Sequence, residues 1–449
     1  MGKAMNKKLV TITVLAILPG LLFFACKKEE KPDQIELRVL NYFDVTTANT
    51  SDEIKRIWDR FEKDNPDIKI IREDLFNDPF HERIESYIGS GQLPDVIYAW
   101  PSGRSAALHT RRLLKDLGPL VERDKLASYY TPIALDPSQQ ASGYLGILPQ
   151  GVTATNAFYI NLEVLRDCGL EPAKSYDELK AQVPVLRAKG YETILMANES
   201  SWVMQSCLFS LVAGRFCGED WEQKILSGKT SFTDPDFVAA LGFVKAMYDD
   251  GVLSSNTLDT GYGDVVDQFT TNRGAYYIDG DWRVGAFITD KPTGKALISP
   301  ERQNNILISV FPGIDGVVFN RSNSVVLSTG WAMSAAIEPG SAREEAAWKL
   351  VKWLAGREVL SIRVESGGVP TPSRTDIDFA RLDLEPMQVR MANLYKEYNR
   401  ATTVIDGAFD PSVFEPINNG LMAIGRGTQT PGEVAAAVQA AFDVWKTTQ

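Results

Sequence analysis

Apolar residues alternate with polar ones in Ile35-Glu36-Leu37-Arg38-Val39-Leu40, the period of a strand with one buried face. From Ser51 to Asn65 the period lengthens. Ile54, Ile57, Trp58 and Phe61 fall on one face of a helix, Ser51 stands where a cap belongs, and Asn65-Pro66 stops it. Ile68 to Ile71 predicts a second strand. A helix carrying Phe80, Ile84, Tyr87 and Ile88 then ends at Gly89-Ser90-Gly91, and Asp95 to Ala99 predicts a third strand. The order β-α-β-α-β predicts an α/β fold with an open, mainly parallel sheet and helices on both faces. Such sheets bind ligands in the crevice at the carboxyl ends of their strands. The segments at those ends are Asn41-Tyr42-Phe43-Asp44 and Trp100-Pro101-Ser102-Gly103.

The pattern repeats further on. Tyr191 to Ala197 predicts a strand, and Asn198-Glu199-Ser200-Ser201-Trp202 leads from it into an apolar helix. Asp234-Pro235 opens a helix with Phe237, Leu241, Val244 and Tyr248 on one face, and Gly274 to Ile278 makes a strand ending in Asp279-Gly280-Asp281-Trp282. Ser324 to Leu327 runs as a strand into the turn Ser328-Thr329-Gly330-Trp331-Ala332-Met333, ahead of an amphipathic helix from Ala342 to Ala355. Gly367-Gly368-Val369-Pro370-Thr371-Pro372 is too stiff for the interior of an element and predicts a connection. Thr430 with Glu433 forms a capping box for the last helix, with Pro431 in its first turn.

A chain of 449 residues, 44% of them hydrophobic, has material for two cores and so for two domains. Ahead of the first strand, Lys3, Lys7 and Lys8 precede an apolar run from Leu9 to Ala25 that Pro19-Gly20 interrupts. A run of that length and flank fits a secretory leader better than a spanning helix. The end of the run, Leu21-Leu22-Phe23-Phe24-Ala25-Cys26, resembles a bacterial lipoprotein signal, with Phe23 and Phe24 where the usual pattern has Leu and a small residue. Cleavage there leaves Cys26 to carry acyl chains, each buried methylene adding about 0.8 kcal/mol of membrane affinity. An ordinary signal peptide cut nearby and an uncleaved anchor are the alternatives. Residues 1–25 are thus expected to be a leader and 26–34 a lipidated cysteine with a charged tether, on the outer side of a bacterial membrane (periplasm or cell surface). The rest, with no second apolar stretch of spanning length, is expected to be water-soluble and monomeric.

Loss of the leader takes the formal net charge from -11 to -14, which argues against a nucleic-acid or anionic-lipid partner. Cys168, Cys207 and Cys217 contain no CxxC pair, so neither a zinc site nor a disulfide framework is indicated. Pairing of Cys207 with Cys217 and buried free thiols are both open.

The nine tryptophans divide into two sorts. Trp58, Trp348, Trp353 and Trp445 lie in amphipathic helices and read as packing; Trp221 is uninformative. Trp100, Trp202, Trp282 and Trp331 each fall just after a strand, beside small or polar residues, where a ring is not covered by its own element. Aromatic faces flanked by carboxylates and hydroxyls suit a sugar, whose C–H faces pack on rings while its hydroxyls need donors and acceptors. Asp44, Asp279 and Asp281 are the carboxylates beside those rings, Asp281 being favoured for a ligand role, although Asp before Gly is often a turn residue. Arg374 stands near the hinge as either a ligand contact or a solvated side chain. Enzyme signatures are sparse. Two histidines leave His-based zinc ligation and Ser-His triads without parts, Gly228-Lys229-Thr230 lacks the first glycine of a P-loop, and no GxSxG or HExxH occurs. A glycosidase using paired carboxylates stays open, because 58 acidic residues leave many pairs.

With these residues in view, the chain resembles the extracellular solute-binding lipoproteins of ABC sugar importers, the group to which maltose-binding protein is related. The resemblance is carried by Leu37-Arg38-Val39-Leu40-Asn41-Tyr42, by Phe61-Glu62-Lys63-Asp64-Asn65-Pro66, and by Gly89-Ser90-Gly91-Gln92-Leu93-Pro94-Asp95-Val96. Further carriers are Tyr159-Ile160-Asn161, the run from Arg273 to Trp282, and Gly368-Val369-Pro370. Asp279 stands where the family has a small residue. The resemblance implies two α/β lobes joined by crossing strands: 35–150 with a return over 332–370, and 151–331 with 371–449. It implies ligand contacts from Tyr42, Asp44, Trp100, Tyr159, Trp202, Asp281, Trp282 and Trp331. It also implies delivery of a carbohydrate, an oligosaccharide by its several aromatic platforms, to permease subunits backed by an ATPase, without covalent chemistry or a cofactor. A receptor for a non-sugar ligand such as a peptide is the remaining alternative.

Overall fold

The computed structural model describes residues 34–448 apart from 46 and 399. The leader, Cys26 and the tether up to residue 33 lie outside the described residues. Twelve strands order the described residues: β1 (Ile35–Tyr42), β2 (Ile68–Leu75), β3 (Val96–Ala99), β4 (Ile147–Pro149), β5 (Val152–Ala154), β6 (Ala157–Asn161), β7 (Glu192–Leu195), β8 (Gly274–Asp279), β9 (Ile306–Ser309), β10 (Asn323–Leu327), β11 (Gly330–Met333) and β12 (Ala401–Thr403). Nine of them form two lobes, each a sheet flanked by helices, as expected, and β12, β10 and β5 form a third, smaller sheet. The first lobe holds the sheet β2-β1-β3-β11-β4 and the second holds β7-β8-β6-β9. The sheets are mixed where a mainly parallel pairing was expected. Only β1–β2, β1–β3 and β7–β8 run parallel within them. β11 returns from the other lobe and β4 leaves toward it, so both enter the first sheet against the direction set by helical crossovers.

The lobes are joined where strands continue from one sheet into the next. Two residues separate β4 from β5 and two separate β10 from β11, and β5 pairs antiparallel with β10. Alongside runs the Gly-Pro-rich connection, with Val152 N–H donating to Thr371 O at 2.9 Å and Ser373 N–H to Gln150 O at 2.7 Å. A Cβ at Gly151 would stand 2.1 Å from the Thr371 oxygen, so glycine is what lets these crossings lie side by side.

The first predicted helix spans residues 50–64 with a π-helical stretch at Ile54–Asp59, which places Ile57 and Trp58 in the core. Ser51 does not cap it. The preceding Asn49 takes a left-handed backbone (φ 64) and sends its side chain to the other lobe. The helix Asp78–Ser90 ends as expected, with Gly91 left-handed at φ 67. The capping box of Thr430 and Glu433 is formed at the start of Pro431–Thr447.

Strand alternation decides which residues of the second lobe face which core. Phe158, Ile160, Tyr276 and Ile278 turn to one side of the sheet, against the helices Ser210–Cys217, Pro235–Asp249, Pro411–Gly425 and the last helix. Tyr159 and Tyr277 turn to the other, with Phe269, Phe287 and Met387. Trp221 is buried in the first of these cores. Cys168, Cys207 and Cys217 are all free thiols, so Cys207 and Cys217 do not pair.

Candidate functional site

The carboxyl ends of the strands in both lobes face one cavity of about 250 Å³. From the first lobe come Tyr42 at the end of β1, Tyr98 in β3 and Trp100 just after it; from the second come Trp202, Tyr262 and Trp282. Tyr42 lies 5.2 Å from Trp100 edge to face and 5.7 Å from Tyr98 in a stack, and its hydroxyl donates to Asn77 Oδ1 at 2.8 Å. Opposite, the Trp202 ring lies 5.4 Å from Tyr262 and 6.2 Å from Trp282. Hydroxyls and an amide fill the gaps, from Asn77, Ser102, Thr153, Thr155, Ser206, Ser328 and Thr329. Open surface grooves elsewhere are roomier, up to about 540 Å³, but bring no such rings together.

Trp282 is held from behind. Its indole N–H donates to Tyr262 Oη at 2.8 Å, and the Arg283 guanidinium lies 3.7 Å over the Tyr262 ring. Arg283 is paired with Asp279 at 2.8 Å. Gly280 lies directly beneath the indole: a Cβ there would come within 2.2 Å of the ring. Asp279, the residue that departs from the small side chain of the resembled pattern, therefore belongs to a buried support for the platform and not to its surface.

Four of the expected ligand residues, Tyr42, Trp100, Trp202 and Trp282, line the cavity together. The other four do not. Trp331 was expected in a turn, but the turn is only Ser328-Thr329, and the chain resumes as β11 with Trp331 registered opposite Tyr98 and Leu148. Its ring is buried between Trp58 at 5.8 Å and Tyr98 at 5.2 Å, underneath the site. Trp331→Phe is expected to cost about 1–2 kcal/mol of stability, read from denaturant unfolding, by thinning the layer that supports Tyr98.

Tyr159 is turned into the second core by its strand, and its hydroxyl donates to Gly280 O at 3.2 Å. Asp44 lies on the loop after β1, where its carbonyl accepts from Thr47 and Thr50, and it does not line the cavity. Asp281 opens a tight 3-10 turn in which neighbouring side chains diverge, so Trp282 faces the cavity while Asp281 faces inward. Its carboxylate accepts from Ala154 N–H at 2.9 Å and from the Tyr395 hydroxyl at 3.3 Å, tying the turn to β5.

Burial pushes the Asp281 carboxyl up to about 7. Unfolding restores an ordinary carboxylate pKa near 4, so between those values the native state binds the extra proton and loses stability as pH rises from about 4 to about 7. Asp281→Asn is expected to flatten that slope in the pH dependence of the melting midpoint. Arg374 pairs with Asp376 at 2.7 Å and packs on Tyr129 and Tyr130, away from the cavity.

The sequence reading missed Tyr98, Tyr262, Arg104 and Asp406. Tyr98 shares a strand with Trp100 at a spacing of two, a signal that was legible. Asp406 comes from a stretch near the carboxyl terminus that no periodicity links to the first lobe. His81 packs 5.3 Å behind Trp100, and burial holds its imidazole near 4, so it stays neutral.

The fold has many solved counterparts. A structure from Caldanaerobius polysaccharolyticus, reported with work on xylan utilization, is 20% identical, covers 90% of this chain and 99% of its own, and superposes with a TM-score of 0.79. A chitin oligosaccharide binding protein is 18% identical over 92% of this chain and 98% of its own, with a TM-score of 0.80. The maltose-bound MalE3 of T. maritima is 17% identical over 92% and 100%, with a TM-score of 0.73. Among curated proteins, no sequence matches. The profile of the bacterial extracellular solute-binding proteins matches residues 47–360, well over half of the sequence, and the chain belongs to that family.

Proposed function

We propose that this protein is the carbohydrate receptor of an ABC importer, closing two lobes on its ligand and delivering it to a membrane permease. The observation that carries the reading is the pair of aromatic sets, Tyr42, Tyr98 and Trp100 against Trp202, Tyr262 and Trp282, facing each other across a cavity fringed with hydroxyls. The similar structures named for maltose and chitin oligosaccharide support the same ligand class. Tyr42, Trp100, Trp202 and Trp282 are the platforms in this reading, and the lobes comprise 35–150 with 332–370 and 151–331 with 371–449. A short oligosaccharide fits the volume and the two sets of rings. Cys26 carries the lipid anchor, which keeps a monomeric receptor beside its permease on the outer side of the membrane.

Lobe closure does the work, and the ligand shifts it only by binding the closed state better than the open one. Hydrolysis of glycosides uses two carboxyl groups placed across the scissile bond. Among the described residues lining this cavity Asp406 is the one carboxylate, which favours a receptor over an enzyme.

The test is the melting temperature of the chain from residue 27 onward against mono- and oligosaccharides, amino acids and peptides, with the recovered ligand checked for cleavage. A sugar at a hundredfold excess over its dissociation constant adds about 2.7 kcal/mol to native stability. A shift with intact sugar is expected. A shift only with peptides, or recovery of cleaved sugar, overturns the reading.

A further inference from the structure

Two charged residues line the cavity among the described ones, and they come from opposite lobes. Arg104 follows β3 in the first lobe, and Asp406 lies in the short helix Ile405–Ala408, whose Ile405 is packed into the second lobe's core. Their charged atoms stand 3.6 Å apart. The guanidinium lies between the rings of Trp100, 5.5 Å from its carbon, and Trp202 at 5.3 Å, one ring from each lobe. Asp406 is buried, and beyond its own backbone N–H and Arg104 no donor among the described residues reaches its carboxylate. Arg104 likewise donates no hydrogen bond of ordinary length to a described residue, although it has five N–H groups. Both groups therefore keep most of their bonding capacity for whatever enters the cavity, while their charges cancel.

Behind the wall most charges cancel, while Asp44 acts on Tyr42 and Glu415 on Asp406. Arg283 is paired with Asp279 beneath Tyr262 and Trp282, Arg363 and Glu53 both act on Tyr98 with opposite sign, and His81 is held neutral by burial. A neutral polyol placed here meets a donor set and an acceptor set side by side without disturbing the balance. A sugar bearing a carboxylate meets a guanidinium whose charge is already met, together with the repelling Asp406. An amino sugar meets the mirror-image conflict with Arg104.

We propose that the Arg104–Asp406 pair makes this cleft selective for uncharged sugars, Asp406 excluding uronates and Arg104 excluding amino sugars. The proposal rests on the carbohydrate reading above. It predicts that the selectivity is set by the balance of the pair, so that removing one charge opens the site to ligands of that same sign.

The experiment measures affinities of the wild-type chain, Asp406→Asn and Arg104→Met by calorimetry. The probes are glucose-, galactose-, mannose- and xylose-based mono- and disaccharides, together with glucuronate, galacturonate, mannuronate and glucosamine. Circular dichroism confirms that each variant is folded. The wild type is expected to bind a neutral sugar at least tenfold more tightly than the uronate of the same configuration. Asp406→Asn is expected to shift that ratio by at least tenfold toward the uronate. Arg104→Met is expected to shift the neutral-to-glucosamine ratio toward the amino sugar, and it reads the proposal independently should Asp406→Asn not fold. A wild type that binds uronates as tightly as neutral sugars overturns the proposal, and so do ratios unchanged in the folded variants. Binding of no carbohydrate by the wild type overturns the carbohydrate reading itself.

Discussion

Trp282→Ala is expected to weaken carbohydrate binding by about thirty- to a thousandfold while the protein stays folded. The indole presents one face to the cavity and is fixed on its other sides by the Tyr262 hydroxyl, the Trp202 ring and Gly280. A rigid aromatic ring in a water-excluding cleft is the kind of residue whose truncation costs about 2–4 kcal/mol of binding, and 2.7 kcal/mol is a factor of about a hundred. Stability should move less, because the ring is only partly buried and packs at the margin of its core.

Gly280→Ala separates the ring's position from its presence. Gly280 has φ -77 and ψ 172, a conformation open to any residue, so alanine strains no backbone there. Its methyl group would nonetheless stand 2.2 Å from the indole carbons and displace the ring. The variant is expected to lose most of the affinity that Trp282→Ala loses, by calorimetry, with intrinsic tryptophan fluorescence reporting the moved indole. Full affinity in a folded Gly280→Ala protein sinks the view that Trp282 acts as a positioned platform.

The elements and the crevice were legible in the sequence because period and punctuation are local. Ile35 to Leu40, Phe80 to Ile88 and the run into Asp281-Trp282 each declare their own conformation. What was illegible depends on partners far along the chain. Trp331 and Trp282 look alike in sequence, both aromatic and both just past a strand. One is covered because its strand resumes and inserts between β3 and β4; the other keeps a face open to the cavity because its turn does not. Asp281 reads as a ligand carboxylate by its neighbours, yet a hydrogen bond to Ala154, on the crossing strand, turns it inward. Arg104 and Asp406 gave no signal, since each gains its meaning from a residue about 300 positions away across the cleft.

Gly103→Ala is expected to weaken ligand binding by about ten- to a hundredfold with little change in the stability of the ligand-free protein. Gly103 opens the turn after β3 in the first lobe. A Cβ there would stand 2.2 Å from the Phe409 carbonyl oxygen and 3.0 Å from that of Asp406, both on the second lobe. Backbone meets backbone at this seam, so no flexible side chain absorbs the intrusion and the lobes themselves must part. On a second seam Asn49 N–H donates to Asp290 Oδ1 and Lys291 N–H to Asn49 Oδ1, each at 2.8 Å, so the two lobes are in contact on both sides. Overpacking a close contact costs about 1–3 kcal/mol, and here the cost falls on the arrangement in which the lobes touch at this seam. The ligand must supply that difference from its own preference for the closed state, and its apparent affinity falls accordingly. Small-angle scattering of Gly103→Ala at saturating sugar should show a larger radius than the wild type under the same conditions. An unchanged dissociation constant with full compaction would mean that the lobes do not approach this closely when the ligand is held.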